Sequence, residues 1–209
     1  MNPLSIIISF VPFFILLLIA MTTHEFAHGW VAYKLGDYTA KSMGRLTLNP
    51  LAHIDPFGTV LLPILIFIAS GGRFIFGAAK PVPINYLALK NPRKDMIWIG
   101  LSGPVSNILL AIAVRIIWSV FPIPSALTAA FGMFIFINVL LGVFNLVPIP
   151  PLDGSRVLMG LLPENLALSY ARIEPYGFLI ILFLFMFGFF QALVWPLVAL
   201  ILNILGVGI

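Results

Sequence analysis

The sequence at 5–33, SIIISFVPFFILLLIAMTTHEFAHGWVAY, joins a long apolar run to the pentad His24-Glu25-Phe26-Ala27-His28. In helical form, at about 1.5 Å per residue, this stretch is longer than the hydrocarbon core of a bilayer, which is about 30 Å thick. Gly36-Asp37 supplies a plausible helix stop. The stretch therefore predicts a membrane-spanning helix that carries two histidines and a glutamate in its last third.

The composition places the whole chain in a membrane. Of its 209 residues, 61% are hydrophobic and only 9% are charged, too few to cover the surface of a soluble domain of this size. The formal net charge is +4, but the Lys and Arg residues are scattered along short loops, which argues against a nucleic-acid partner and leaves the lipid bilayer as the expected one. The chain has no cysteine, so any metal must be held by histidines and carboxylates.

We predict an all-α polytopic membrane protein, a bundle of about 4–6 transmembrane helices in a single integral-membrane domain over 1–209. Apolar length and Pro or Gly punctuation indicate where the spans lie. Pro196 is expected to break the last span before a short apolar segment, 197–206. The predicted core spans are 5–33, 95–120, 126–147 and 176–193.

Residues 57–92 differ from these spans. The apolar part, 57–69, is too short for a normal span and contains Pro63. Residues 71–92 are rich in Gly and Pro, which disfavours helix and suggests an extended hairpin. We therefore predict a re-entrant insert over 57–92 with a small hairpin or β element.

The pentad matches H-E-x-x-H, in which His24 and His28 lie on one helical face and can bind one zinc ion, while Glu25 can act as a general base. Two ordinary buried histidines are the alternative, but an ionisable cluster inside a span is costly and points to a functional site. Catalytic zinc usually has three protein ligands, so a third is expected from elsewhere. The candidates are His53, Asp55, Asp95, Asp153, Glu164 and Glu174.

Asp153 is favoured among them because Pro148–Gly154 breaks a span near membrane depth. Irregular backbone at that depth is tolerated where it is buried in protein or lines a wet cavity. On these grounds alone Asp153 could equally be a turn residue before Gly154.

A second motif lies far downstream of the pentad: Asn145-Leu-Val-Pro148-Ile-Pro150-Pro-Leu152-Asp153-Gly154. The two motifs together closely resemble the site-2 protease family of intramembrane zinc metallopeptidases, in the compact bacterial type without a PDZ domain. The resemblance implies zinc ligands His24, His28 and Asp153, with one Zn²⁺ per chain. It implies Glu25 as general base, and Asn145 as a polar group that steadies the substrate or the oxyanion. A helix–helix hydrogen bond is the alternative role for Asn145.

Two further polar residues receive structural interpretations. Asn107, in Gly103-Pro104-Val105-Ser106-Asn107, also looks like part of a family segment, and we expect it to serve helix packing. His53 has no assigned role beyond a cap, a group behind the ligands or a gate, and a structural role is favoured.

The order of spans predicts the orientation. If His24 and His28 lie near the end of one span and Asp153 just past the end of 126–147, both helices run the same way. Ten of the eleven Lys and Arg residues then fall on one face, which the positive-inside rule makes cytoplasmic. The N-terminus is expected outside and the active site nearer the cytoplasm. The ten residues are Lys34, Lys41, Arg45, Arg73, Lys80, Lys90, Arg93, Lys94, Arg156 and Arg172.

These features predict a cell-membrane zinc metalloendopeptidase that hydrolyses peptide bonds of transmembrane protein substrates, that is, regulated intramembrane proteolysis. Two alternatives are a metal-binding membrane transporter and an inactive protease-like scaffold. The position of Glu25 argues against both, because neither needs a base beside the ligands. The residues carry no indication of oligomeric state.

Overall fold

The computed structural model describes residues 3–69, 77 and 79–208. Within these residues the fold is all-helical and contains no strand, which confirms the predicted class. The α-helices are α1 (Pro3–Lys34), α2 (Thr39–Ser42), α3 (Leu62–Ala69), α4 (Pro92–Val120), α5 (Ser125–Asn145), α6 (Asp153–Leu161), α7 (Glu164–Ala171), α8 (Gly177–Met186) and α9 (Trp195–Ile204).

Four helical segments of the described chain are long and apolar enough to cross a membrane. They are Val11–Lys34, Pro92–Val120, Ser125–Asn145 and Glu164–Met186, the last containing α7 and α8. The protein is therefore a multi-pass membrane protein, as the composition predicts.

Helix α1 ends where the sequence predicts. Gly36 has a φ of 108°, a left-handed conformation that glycine adopts without steric cost. The N–H of Asp37 donates to Ala32 O at 2.9 Å and the N–H of Gly36 donates to Tyr33 O at 3.2 Å. This is the Schellman arrangement that satisfies the last helical carbonyls.

Helix α4 lies between α1 and α5 and is antiparallel to both. Asn107 of α4 bonds to Ala20 of α1, while His28, further along α1, bonds to Ile99, earlier in α4. Asn107 also bonds to Asn138 of α5. Helices α1 and α5 therefore run in the same direction, which agrees with the parity expected from the sequence and brings the chain after α5 back toward the histidines.

Helix α6 packs closely on α4 through glycines. A Cβ on Gly100 of α4 would lie 3.0 Å from Asp153 O, and one on Gly160 of α6 would lie 2.4 Å from the Ile97 side chain. Small residues let helix backbones approach closely in membrane bundles. The first turn of α6, which begins at Asp153, is therefore held against α4.

The predicted insert is partly helical. Residues Pro56–Leu61 form a π-helical turn that continues into α3. Residues 79–85 have no regular secondary structure and lead into a 3₁₀ turn at Tyr86–Ala88. Residues 70–76 and 78 of the predicted insert, which include the first part of the predicted hairpin, lie outside the described residues.

The last part of the chain is divided differently from the predicted span 176–193. Helix α8 ends at Met186, and Gly188 has a φ of 78°. The chain then forms a π-helical turn at Phe190–Val194 that continues directly into α9. Pro196 is the second residue of α9 and does not interrupt this continuous helical stretch, so the helix break falls at Gly188 and not at Pro196.

Candidate active site

The two histidines of the pentad face each other on one side of α1. The four-residue spacing places their rings 4.7 Å apart between centroids, edge to face, and their Nε2 atoms 3.0 Å apart. Both residues are buried. The helix therefore presents two imidazole nitrogens to a single point inside the bundle.

Asp153 completes this group from the first turn of α6. Its Oδ2 lies 2.9 Å from His24 Nε2, and its Oδ1 lies 3.2 Å from His28 Nε2. One ligating atom from each residue falls within 4.8 Å of the others, and no other such group of three His, Cys, Asp or Glu residues occurs in the described part of the chain.

The other candidate ligands lie elsewhere. The His53 ring bonds to Thr47 O at 2.8 Å. Three of the carboxylates have partners of their own: Asp55 accepts from the N–H of Gly58, Asp95 accepts from the N–H of Asn91, and Glu174 pairs with Arg156. Glu164 is exposed in the first turn of α7.

The outer nitrogen of each ring has an oxygen partner. His24 Nδ1 donates to Asn107 Oδ1 at 2.6 Å, and His28 Nδ1 donates to Ile99 O at 2.7 Å. With Nδ1 protonated, the Nε2 atom of each neutral ring carries a lone pair. Two lone pairs and a carboxylate therefore converge, and Asp153 Oδ2 is buried without a hydrogen-bond donor.

Three converging acceptors fit a bound cation. Zinc takes nitrogen and oxygen ligands at about 2.0–2.2 Å in tetrahedral geometry, which separates neighbouring ligand atoms by about 3.3 Å. The observed separations of 2.9, 3.0 and 3.2 Å are close to this value. Gly103 of α4 leaves room beside them, because a Cβ there would lie 2.4 Å from His28 Nε2 and 2.6 Å from His24 Nε2.

Glu25 follows His24 along α1 and is bound to the insert. Its Oε2 accepts a hydrogen bond from the backbone N–H of Val82 at 2.8 Å. It shares a cleft of about 320 Å³ with the His24–His28–Asp153 group. Glu25 thus lies beside the ligand group without belonging to it.

The segment 79–85 is fixed over the cleft by long-range hydrogen bonds. The N–H of Lys80 donates to His53 O at 2.9 Å, and Arg45 Nη2 donates to Lys80 O at 2.8 Å. The N–H of Asn85 donates to Asp37 Oδ2 at 2.7 Å. The backbone of His53 therefore helps to hold this segment, while a structural role for its side chain stays a prediction.

Three contributors to the site are not apparent from the sequence. Asp37 and Arg45 read as loop charges but anchor the insert. Asn107, expected to serve packing alone, contacts a candidate ligand. A general property of metal sites points to such a residue. A histidine that binds metal usually donates its other N–H to an oxygen, so an amide in a neighbouring span, such as Asn107, was a candidate partner for the pentad.

Asn145 lies at the end of α5 and lines the same cleft. Its Nδ2 donates to Leu141 O, one turn back in its own helix, at 3.0 Å. Tyr86 and Arg156 line the same cleft, and burial raises the pKa of the Tyr86 hydroxyl. The cleft thus offers polar groups on several sides of the candidate metal position.

Residues 12–131 and 122–188 match the profile of peptidase family M50. The chain belongs to peptidase family M50. This is the site-2 protease family that the two motifs indicated.

Relatives extend over most of the chain. It is 38% identical over 200 residues to YwhC of Bacillus subtilis, covering 91% of this chain and 87% of that protein. It is 32% identical over 185 residues to Rip2 of Mycolicibacterium smegmatis (85% and 69%), and 31% identical over 150 residues to MJ0611 of Methanocaldococcus jannaschii (69% and 70%). All three are named as candidate zinc metalloproteases. No solved structure gives a significant match.

Proposed function

We propose that this M50 peptidase hydrolyses peptide bonds of transmembrane protein substrates inside the membrane, with His24, His28 and Asp153 holding its single zinc ion and Glu25 acting as general base. The protein is a zinc metalloprotease by family and by its relatives. The observation that carries the residue roles is the convergence of three acceptor atoms, from two buried histidines and the half-buried Asp153, beside the Glu25 carboxylate, which is not one of them.

Zinc in such a site polarises the scissile carbonyl and makes water a stronger nucleophile near neutral pH. Glu25 then accepts a proton from the attacking water and delivers it to the leaving amine, so that one carboxyl serves both halves of the reaction. The hydrogen bond from Val82 fixes one oxygen of Glu25. A fixed carboxylate presents its remaining lone pairs to the cleft in a defined direction.

Asn145 is the proposed donor to the substrate. One hydrogen of its Nδ2 is used by Leu141 O, and an amide nitrogen carries two. The second hydrogen is available to a substrate carbonyl or to the oxyanion that develops from it. A donor of this kind typically contributes about 100- to 1,000-fold in rate.

The membrane sets the form of the substrate. A helical substrate must unwind locally, because the carbonyl that is attacked is otherwise bonded within its own helix. The distribution of Lys and Arg along the sequence supports an outside N-terminus and an active site nearer the cytoplasmic face. Substrate segments are then expected to reach the cleft from within the bilayer.

Cleavage of a model transmembrane substrate by the purified protein in detergent tests this function. We expect Glu25→Gln to lower cleavage at least about 1,000-fold, with the zinc content unchanged, since it removes only the base. Glu164→Gln, which makes the same chemical change at an exposed site on α7, is the matched control and should remain active. Chelation should abolish wild-type cleavage and added zinc should restore it.

Two results would contradict the proposal. A Glu25→Gln protein as active as wild type would remove the assigned base. A wild-type protein that binds one zinc ion through the three ligands, yet cleaves no substrate and moves zinc into liposomes, would favour the transporter alternative.

A further inference from the structure

We infer that Asn107 is a positioning residue for the metal, which fixes the ring orientation and tautomer of His24, and that Asn138 in turn fixes Asn107. This inference rests on the ligand set proposed above. Both amides are fully buried, with 0% of their surface exposed. They lie on α4 and α5, behind the ligand group.

The hydrogen bonds form a chain with one consistent assignment. Asn138 Nδ2 donates to Phe134 O of its own helix at 2.9 Å, which directs Asn138 Oδ1 toward α4. Asn107 Nδ2 donates to that Oδ1 at 2.9 Å and to Ala20 O at 3.2 Å. Both hydrogens of this amide are then used, so Asn107 Oδ1 must face His24 Nδ1, 2.6 Å away.

The consequence reaches the ligand atom. An oxygen acceptor at Nδ1 requires the proton on that nitrogen, which leaves the lone pair of His24 on Nε2, the atom that faces Asp153. If the Asn107 amide were turned over, its NH₂ group would face Nδ1, and His24 would have to carry its proton on Nε2. The chain from Phe134 to His24 excludes that state.

The two histidines differ in how they are held. The Nδ1 acceptor of His28 is a backbone carbonyl, Ile99 O, whose direction is set by α4 itself. The Nδ1 acceptor of His24 is a side chain, which could point either way without further contacts. Asn138 supplies the restraint that the backbone supplies for His28.

Helix packing alone is the competing role for both amides. Interhelical hydrogen bonds of this kind stabilise membrane bundles modestly, and either amide could serve that end. Packing predicts that removing either amide lowers thermal stability by a similar amount and leaves zinc affinity unchanged. Positioning predicts that the loss of zinc affinity follows the bond to His24.

The test measures zinc affinity of the purified full chain by competition with a chromophoric chelator. We expect Asn107→Leu to bind zinc about 10- to 100-fold more weakly, the usual cost of removing a group that orients a ligand. Asn107→Asp keeps an oxygen acceptor for His24 but loses both donated hydrogen bonds, to Asn138 Oδ1 and Ala20 O, so it should recover part of that loss. Asn138→Leu removes the acceptor that directs the Asn107 amide but keeps the Asn107 side chain, so it should weaken zinc binding measurably, by about 3- to 10-fold, and less than Asn107→Leu does.

Two control variants and two spectroscopic measurements distinguish positioning of His24 from helix packing alone. Asn203→Leu, at an exposed position on α9, should bind zinc like wild type, and His24→Ala should lose high-affinity binding. The visible spectrum of the cobalt-substituted protein should change most in Asn107→Leu and less in Asn138→Leu. Nitrogen-15 NMR of the zinc-loaded wild type, which needs no variant to fold, should show a protonated Nδ1 on His24.

Asn107→Leu with zinc affinity within threefold of wild type, while His24→Ala loses it, would overturn the inference and leave the proposed function intact. An Nε2-protonated His24 in the loaded wild type would remove the lone pair that faces Asp153, so the proposed ligand set and the inference would both fall. If His24→Ala itself binds zinc as wild type does, the proposed ligand set falls, and the inference falls with it.

Discussion

A methyl group added at Gly103 would test the geometry of the whole ligand group. Its Cβ would lie 2.4 Å from His28 Nε2 and 2.6 Å from His24 Nε2, whereas ordinary contact begins at 3.4 Å. The rings would have to move by about 1 Å, and each is held from behind, by Ile99 O and by Asn107. Because a misplacement of about 1 Å typically costs about 100-fold in rate, we expect Gly103→Ala to lower kcat/KM at least about 100-fold and to weaken zinc binding.

The assay compares cleavage of the transmembrane substrate and zinc content in Gly103→Ala and in Gly132→Ala. Gly132, on α5, is the matched control, because a Cβ there meets nothing closer than the Trp118 ring at 3.9 Å. That substitution should be neutral or stabilising by up to about 1 kcal/mol, the gain in helix propensity. A Gly103→Ala protein with one tightly bound zinc ion and activity within threefold of wild type would refute the reasoning.

Two further predictions concern the insert and the metal. Asp37→Asn weakens the acceptor for the N–H of Asn85. Deuterium uptake over 79–86 should therefore rise, while uptake over α5 should not change. Unchanged uptake over 79–86 would show that Asp37 does not anchor the insert. Removal of zinc by chelation should lower the unfolding temperature of the protein, because a ligand at 100 times its Kd adds about 2.7 kcal/mol to stability. Equal unfolding temperatures with and without chelator would contradict a metal at the buried acceptor group.

The sequence predicts those parts of the fold that are determined by residues close together along the chain. Helices α1, α4 and α5 are long apolar runs that end at Gly or Pro, and their bounds fall within a few residues of 5–33, 95–120 and 126–147. The pentad could be placed because the four-residue spacing alone puts two side chains on one helical face. Asp153 could be favoured because a Pro-rich break at membrane depth is tolerated where the backbone is buried in protein or lines a wet cavity.

The parts that were missed depend on contacts between distant segments. The break at Gly188 was assigned to Pro196 because sequence alone does not distinguish a proline that ends a helix from one in its first turn. Asn107 was assigned to packing because its distance to His24 depends on how α4 crosses α1. The role of Asp37 depends on its contact with Asn85, 48 residues later, and no local pattern indicates it.

The histidine ligands and the base are held by different segments of the molecule. The candidate zinc ligands are oriented by α4, through Asn107 and Ile99 O, whereas the base is held by the insert, through the N–H of Val82. Releasing the insert at Asp37 should therefore change the rate of cleavage with little effect on zinc affinity. Removing the amide of Asn107 should change both. Cleavage rate and zinc affinity measured in both variants therefore test whether this peptidase holds its metal and its base independently.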